Sequence, residues 1–379
     1  MATPLTPQDV ARLLAQPSPD LRAELADSMA AHLSGNDLAP GEVALARDIV
    51  RLLARDVETK VRAALSHGLR HSPNLPHDVA MKLAADIDSV ALPVLAESVV
   101  LTDDDLVALV RGGSPRKQSA IAGRPHLTET VSEAIVEHGA EPAVAVLMGN
   151  PTAAIAEASF QRAMTRFAGS DRVKSAMAHR DGLPMTVCER LVTMISAQLQ
   201  EHILKTQALP AGVATDIVLG CREHAMIMLS AGAPETELRQ LIAQLHHTGR
   251  LTPALVFRAL CLGDIAFFEV ALAEMGEIPI GNAQILIHEK SGRGLDALYR
   301  KARMPPALFG AFQTAVQVVD ETAFDGGPRD LERFRARVIS RVLTMTENVE
   351  PEIADYLVAK LGDVLVHAHE PPYLAAVPN

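Results

Sequence analysis

Three consecutive segments of 26 residues decide the fold. They read LRHSPNLPHDVAMKLAADIDSVALPV (69–94), LAESVVLTDDDLVALVRGGSPRKQSA (95–120) and IAGRPHLTETVSEAIVEHGAEPAVAV (121–146). The first position of each segment, and of the next one, is aliphatic: Leu69, Leu95, Ile121 and Leu147. The seventh position is always leucine, at Leu75, Leu101 and Leu127, and the fourth is polar, at Ser72, Ser98, Arg124 and Asn150. A period of this length predicts a helical repeat, in which each unit buries its apolar side against the next.

Each segment also contains the signals of two short helices. Thr102 can cap the helix that follows it, and Asp105 can complete a capping box. Thr128 occupies the same place in the third segment. The sequence then predicts a longer helix from Pro151 to about Phe167, after which the pattern returns, shifted by four residues, at Arg180.

Helical patterns also fill the flanks of the repeats. Residues 4–55 predict three helices, the first over Gln8–Leu14, and Asp325–Pro328 is the best candidate for a linker. The fold class we expect is all-α, with an α-solenoid of short HEAT-like repeats followed by an irregular helical region and a C-terminal helical hairpin. The expected domains are a solenoid over 1–182, its helical continuation over 183–324, and the hairpin with its tail over 328–379. The two hairpin helices are expected at 329–346 and 350–367.

Several stretches resemble known repeat families. VRAAL (61–65) and LPHDV (75–79) resemble the leucine-rich variant repeat and, more loosely, the HEAT repeat. ALPVLAE (91–97), AIAGRPHL (120–127), VLMGNP (146–151) and HRDGLP (179–184) resemble an uncharacterised alphaproteobacterial family, domain of unknown function 2336. The resemblance covers residues from about 80 to 300 and implies helical repeats. It implies no activity.

The composition argues against several classes of function. A net charge of −11, with 3% aromatic residues and no Trp, disfavours binding to nucleic acid, which needs a basic face or stacking platforms. The common catalytic motifs are absent, so we expect no enzyme and no cofactor. The chain has no apolar run of about 18 residues and no signal-peptide pattern at its start, so we expect no membrane insertion. The three cysteines are widely spaced, and we expect free, buried thiols in the cytoplasm.

A basic set is the sharpest candidate site. It comprises Arg111, Arg116, Lys117, Arg124, Asn150 and Arg180. Because equivalent repeat positions align along one edge of a solenoid, Arg124, Asn150 and Arg180 should form a polar row with Arg116 and Lys117 as neighbours. This row could hold an acidic peptide or a phosphate. Alternatively, these side chains cap the carbonyl groups at the ends of the first helices.

Other clusters have simpler interpretations. His67 and His71 are four residues apart and could bind a metal, but a solvated helix end explains them too. Asp103–Asp105 could bind Mg²⁺, but helix capping explains it more simply. The helix over 329–346 combines arginines with an apolar stripe and is expected to dock on protein.

We therefore expect a non-enzymatic cytoplasmic scaffold or adaptor that binds a protein partner along its helical-repeat surface. The C-terminal helices could also form the contact of a homo-oligomer. The alternative is a sensor that binds a phosphorylated small molecule or a nucleotide at the basic patch. A repair enzyme on a HEAT-like scaffold fits poorly, because it would need a basic face and aromatic side chains.

Overall fold

The structure is a computed structural model that describes residues 18–34, 40–206, 211–322 and 330–346. Every regular element within these ranges is a helix, in agreement with the predicted all-α class. The chain divides into two compact units between Leu183 and Pro184, called unit 1 and unit 2 below. The predicted helix at 8–14, the linker at 325–328 and the helix at 350–367 lie outside the described residues.

Unit 1 consists of short helices joined by tight turns. They are α1 (Pro19–Ser34), α2 (Pro40–Leu53), α3 (Thr59–Leu69), α4 (His77–Ala85), α5 (Asp88–Glu97), α6 (Asp103–Gly112), α7 (Pro115–Ala122), α8 (Glu129–His138), α9 (Glu141–Gly149), α10 (Glu157–Arg166) and α11 (Asp171–Ala178). The odd-numbered helices pack on one another in succession and form a first layer. Helices α4, α6, α8 and α10 form a second layer in the same way, and an ion pair between Arg51 and Asp78 joins α2 to α4.

Burial confirms the 26-residue frame. Leu69, Leu95, Ile121 and Leu147 are fully buried, and Leu75, Leu101 and Leu127 are buried as well. From α3 onward, each first-layer helix is only two to three turns long, so it cannot cover its own apolar side. The helices of the neighbouring repeat pack against that side and bury it. The repeat therefore forms a layered helical stack, as the period predicts.

Local signals set the helix ends. Thr102 accepts a hydrogen bond from the Asp105 amide, and the Asp105 carboxylate accepts one from the Thr102 amide, which completes the predicted capping box. Thr128 caps α8 through the Val131 amide. Each of these caps satisfies an amide that has no partner within its helix.

The predicted helix from Pro151 to Phe167 is wrong at its start. Helix α10 begins at Glu157, because residues 150–154 form a turn instead. The Asn150 Oδ1 atom accepts hydrogen bonds from the amide and the hydroxyl of Thr152, at 3.1 and 2.9 Å. The Ala154 amide then donates to the Leu127 carbonyl of the preceding repeat at 2.8 Å. A contact between successive repeats thus overrides the helix-start signal of Pro151.

Unit 2 is helical but less regular. Its elements are α12 (Met185–Thr206), α13 (Ala211–Ser230), α14 (Glu235–His247), α15 (Pro253–Leu262), α16 (Ile265–Met275), α17 (Ile280–Ile287), α18 (Arg293–Lys301), a 3₁₀ turn (Pro306–Leu308), α19 (Phe309–Glu321) and α20 (Asp330–Thr346). Phe312 lies at the centre of its core, with ring centroids of Phe257 and Tyr299 at 5.0 and 5.2 Å. Helix α20 packs on α15 and α19, and its apolar stripe, including Phe334 and Val338, is buried in this same core.

Candidate functional site

The predicted polar row lies where the chain passes from the first layer to the second. The Arg124 guanidinium donates through Nη1 to the Leu95 carbonyl at 2.7 Å and through Nη2 to the Ser98 carbonyl at 2.5 Å. Leu95 and Ser98 lie at the end of α5, one repeat earlier in the chain. The last carbonyl groups of a helix have no partner within it, and a cation is favoured there. Arg124 therefore caps the first-layer helix of the preceding repeat.

The same arrangement recurs in the following repeats. The side-chain amide of Asn150 donates through Nδ2 to the carbonyls of Ala122 and Arg124 at 3.0 and 2.7 Å, at the end of α7. Arg180 donates to the carbonyls of Asn150 and Ala153, the latter at 2.7 Å, just beyond the end of α9. We call Arg124, Asn150 and Arg180 the carbonyl edge.

The side-chain N–H groups of the carbonyl edge donate to backbone carbonyls of the protein itself. Burial lowers the pKa of both arginines, although a guanidinium keeps its charge in proteins. The observed geometry is the alternative raised above, in which these side chains cap helix ends. Arg124 and Arg180 thus have a structural role that is sufficient to explain their position in the repeat.

Arg111, Arg116 and Lys117 lie elsewhere. They sit at the opposite edge, where the chain passes from the second layer back to the first. Helix α7, eight residues long, separates Arg116 from Arg124 by roughly 12 Å at 1.5 Å per residue. The expectation that Arg116 and Lys117 neighbour Arg124 is therefore wrong, because the two ends of α7 belong to opposite edges.

Partly buried ion pairs hold this second edge together. The Arg22 guanidinium binds the Asp56 carboxylate at 2.7 and 3.1 Å, and Arg62 binds Asp86 at 2.6 and 3.0 Å. These hydrogen bonds hold the pKa of each aspartate below its ordinary value. Lys117 adds bonds from Nζ to the carbonyls of Ala84 and Asp86, the former at 3.2 Å. We call the edge defined by these pairs the clamp edge.

Sequence reasoning missed both ion pairs. The partners are 34 and 24 residues apart, so no local spacing connects them. One signal was available: in each pair an arginine near the start of a first-layer helix faces an aspartate in the next turn between the layers. A search for complementary charges about one repeat apart would have found them.

A row of exposed cations runs along the clamp edge. Arg55 follows α2, Lys82 lies in the last turn of α4, and Arg111 lies in the last turn of α6. All three side chains are exposed, and none has an ion-pair partner among the described residues. Arg116, next along the edge, is 77% exposed and stands 3.9 Å from Asp88. This row, with Arg116, leaves positive charge available to a binding partner.

The remaining candidates form no metal-binding cluster within the described ranges. His71 pairs with Glu97 at 2.8 Å, and His77 pairs with Asp105 at 2.7 Å. No group of three or more His, Cys, Asp or Glu side chains in the described part of the chain could hold a metal ion. The three cysteines are free, but only Cys261 is buried; Cys188 is partly buried and Cys221 is exposed, so the expectation of buried thiols is confirmed for Cys261 alone. Burial raises the pKa of Cys188 and Cys261.

Unit 2 holds its charged groups in local networks. Glu189 is almost fully buried and accepts hydrogen bonds from Arg250 at 2.5 Å and from Gln244 at 2.8 Å. The His288 ring lies between two carboxylates, with Nδ1 2.7 Å from Asp320 and Nε2 2.8 Å from Glu269. Because both ring nitrogens face carboxylate oxygens, this geometry suits the doubly protonated imidazolium. These networks join helices of unit 2 to one another.

Comparison with known proteins places the chain in a family. No curated protein matches it. A solved engineered protein aligns over 96% of this chain and 98% of its own, with 12% sequence identity and a TM-score of 0.30. None of the described helices is both long and apolar enough to cross a membrane. The model of a family described as "uncharacterised protein conserved in bacteria" matches residues 90–351 and confirms the resemblance noted above. The chain therefore belongs to that family, DUF2336.

Proposed function

We propose that the protein is a non-enzymatic cytoplasmic scaffold that binds a protein partner along the clamp edge of unit 1. The observation that supports this proposal is the row of exposed cations at Arg55, Lys82 and Arg111, one for each of three successive repeats, which have no ion-pair partner within the described part of the chain. The chain as a whole carries a net charge of −11, so this group of exposed cations is a local feature. Repeat proteins use such rows of equivalent side chains to bind extended partners.

The helix dipole accounts for the placement of these cations. A positive charge in the last turn of a helix is stabilising by a few tenths of a kcal/mol to about 1 kcal/mol. That small interaction leaves the charged group in water, where a partner can reach it. Next to the row, the partly buried Arg62–Asp86 pair joins α3 to the turn before α5. The row therefore stands on a rigid base, which reduces the entropy lost on binding.

Charge reversal tests the proposal. The double variant Arg111→Glu with Arg116→Glu should lose the partners that the wild-type chain captures from lysate, because like charges then face the partner. The matched control is Lys290→Glu with Arg293→Glu, two exposed cations of unit 2. Both variants should keep the helical content of the wild type. Equal capture by the first variant and the wild type would overturn the assignment of the clamp edge.

The sensor hypothesis predicts a different result. At the carbonyl edge, the forked donors that a phosphate would need already bind backbone carbonyls. Arg111 and Arg116 remain as possible phosphate contacts. A sensor gains thermal stability with ligand concentration, so a thermal-shift screen with nucleotides and sugar phosphates separates the two hypotheses. A scaffold of the kind we propose should show no shift.

A further inference from the structure

Exposed aliphatic side chains accompany the cation row. Val57 is 87% exposed, Ile87 is 54% exposed and Leu52 is 50% exposed. Val57 lies in the turn before α3, Ile87 is the N-cap of α5, and Leu52 lies in the last turn of α2. A single exposed aliphatic residue is ordinary, but a group of them at one edge marks an interaction surface. All three belong to the clamp edge.

One partly buried ion pair holds two of these residues in place. Arg62 Nη1 donates to the carbonyls of Asp56 and Val57, at 2.7 and 3.2 Å. The same guanidinium binds the Asp86 carboxylate, and Oδ1 of Asp86 accepts the Ile87 amide at 2.7 Å. The backbone at Val57 and the backbone at Ile87 are thus joined through Arg62 and Asp86. The two apolar side chains are presented at a set separation and do not ride on free loops.

We propose that Val57 and Ile87 are the apolar anchors of a docking surface for an acidic peptide segment that carries aliphatic or aromatic side chains. This inference rests on the proposed function and names the chemistry of its partner. The aspartates beside the anchors, Asp56, Asp86 and Asp88, pair with Arg22, Arg62 and Arg116. The charge requirement therefore comes from Arg55, Lys82 and Arg111, which have no ion-pair partner among the described residues and outnumber the exposed acid Glu58. Acidic groups on the ligand would pair with that row, while its apolar groups cover the anchors.

The dimensions of the edge set the length of the ligand. Helices α3, α5 and α7 are successive neighbours in the first layer, and packed helices are about 8–10 Å apart. The edge from Val57 past Ile87 to Arg111 and Arg116 therefore extends over roughly 20 Å. An extended chain covers this length with about six residues at roughly 3.3 Å each. A peptide of about ten residues includes the whole surface.

A peptide selection with the full chain tests the proposal. Random peptides of about ten residues, displayed on phage, are selected on the immobilised wild-type protein. Enriched peptides should combine Asp or Glu with Leu, Ile, Phe or Tyr. The double variant Val57→Asp with Ile87→Asp should bind a synthetic copy of the best peptide about a hundredfold more weakly, since two apolar contacts are lost and like charges are added.

The variants are chosen so that folding is not at issue. Both side chains are exposed, and aspartate is a preferred residue at an N-cap such as position 87. The control Val99→Asp changes a valine that is also exposed, at 67%, but lies in the turn between α5 and α6 at the carbonyl edge. This control should bind the peptide as the wild type does.

Three results would overturn the inference. They are a selection that enriches no peptides or basic ones, binding unchanged in the double variant, and a dimer of the wild type that the double variant abolishes. The last result would assign the anchors to a second copy of the chain. The proposed function fails separately, when the wild type captures no protein from lysate or when charge reversal at Arg111 and Arg116 changes nothing.

Discussion

Replacement of Arg124 by alanine should destabilise unit 1 far more than its half-exposed position suggests. The substitution removes two charge-assisted hydrogen bonds, to the carbonyls of Leu95 and Ser98. Each such bond contributes about 1.5–3 kcal/mol, and removing the donor leaves the carbonyl groups of α5 without that partner. Because water reaches part of the site, we discount the sum to a loss of about 2–4 kcal/mol in the free energy of unfolding.

The matched control is Arg116→Ala, which removes the same charge from the other end of α7. Arg116 is 77% exposed and stands 3.9 Å from its acidic neighbour, so the loss should stay within about 0.5 kcal/mol. Arg124→Lys keeps the charge but loses the fork, so its loss of stability should lie between those of the two alanine variants.

Denaturant unfolding can assign the effect to one unit. No tyrosine occurs among residues 1–183, and Tyr299 is buried in the core of unit 2, so tyrosine fluorescence does not report on unit 1. Arg124→Ala should shift the transition seen by far-ultraviolet circular dichroism and leave the tyrosine transition in place. If Arg124→Ala were no more destabilising than Arg116→Ala, the carbonyl bonds would be incidental. Arg124 would then return to the set of partner-binding candidates.

The remaining predictions concern the core, a helix cap and a titratable group. Ile121→Asp should place an unpaired charge between two repeats and unfold unit 1, whereas Ile285→Asp, at an exposed site, should keep the wild-type circular dichroism. Thr102→Ala should lower the stability of unit 1 by about 0.5–2 kcal/mol through loss of the capping box, and Thr130→Ala, which removes no cap, should not. Burial lowers the pKa of His288, but its hydrogen bonds with two carboxylates outweigh burial, so the pKa is raised. The extra stability of unit 2 relative to His288→Gln should be complete below about pH 6.5 and disappear as the pH rises through the raised pKa; an advantage that grows with pH would contradict this.

The repeat frame and the helix caps could be predicted from the sequence because both depend on short-range order. Leu69, Leu95 and Ile121 share one position in the period, and any stacking of short helices must bury that position. Thr102 and Asp105 are three residues apart, so their capping box forms within one turn. The failed prediction at Pro151 has the opposite cause, because the Leu127 carbonyl that redirects residues 150–154 belongs to another repeat.

The amino-acid sequence by itself determined the all-α class, the period of the repeat and the residues that face between units, since apolar spacing alone requires them. Only the tertiary structure decided what the polar residues do. The period aligns Arg124 with Arg180, but whether their donors reach solvent or a neighbouring carbonyl depends on how closely the repeats pack. The tertiary structure also places Arg116 at the edge opposite Arg124, and it lets the Arg62–Asp86 pair hold the backbone at Val57 and Ile87. These contacts join residues distant in the chain, and their geometry exists only once the helices are stacked.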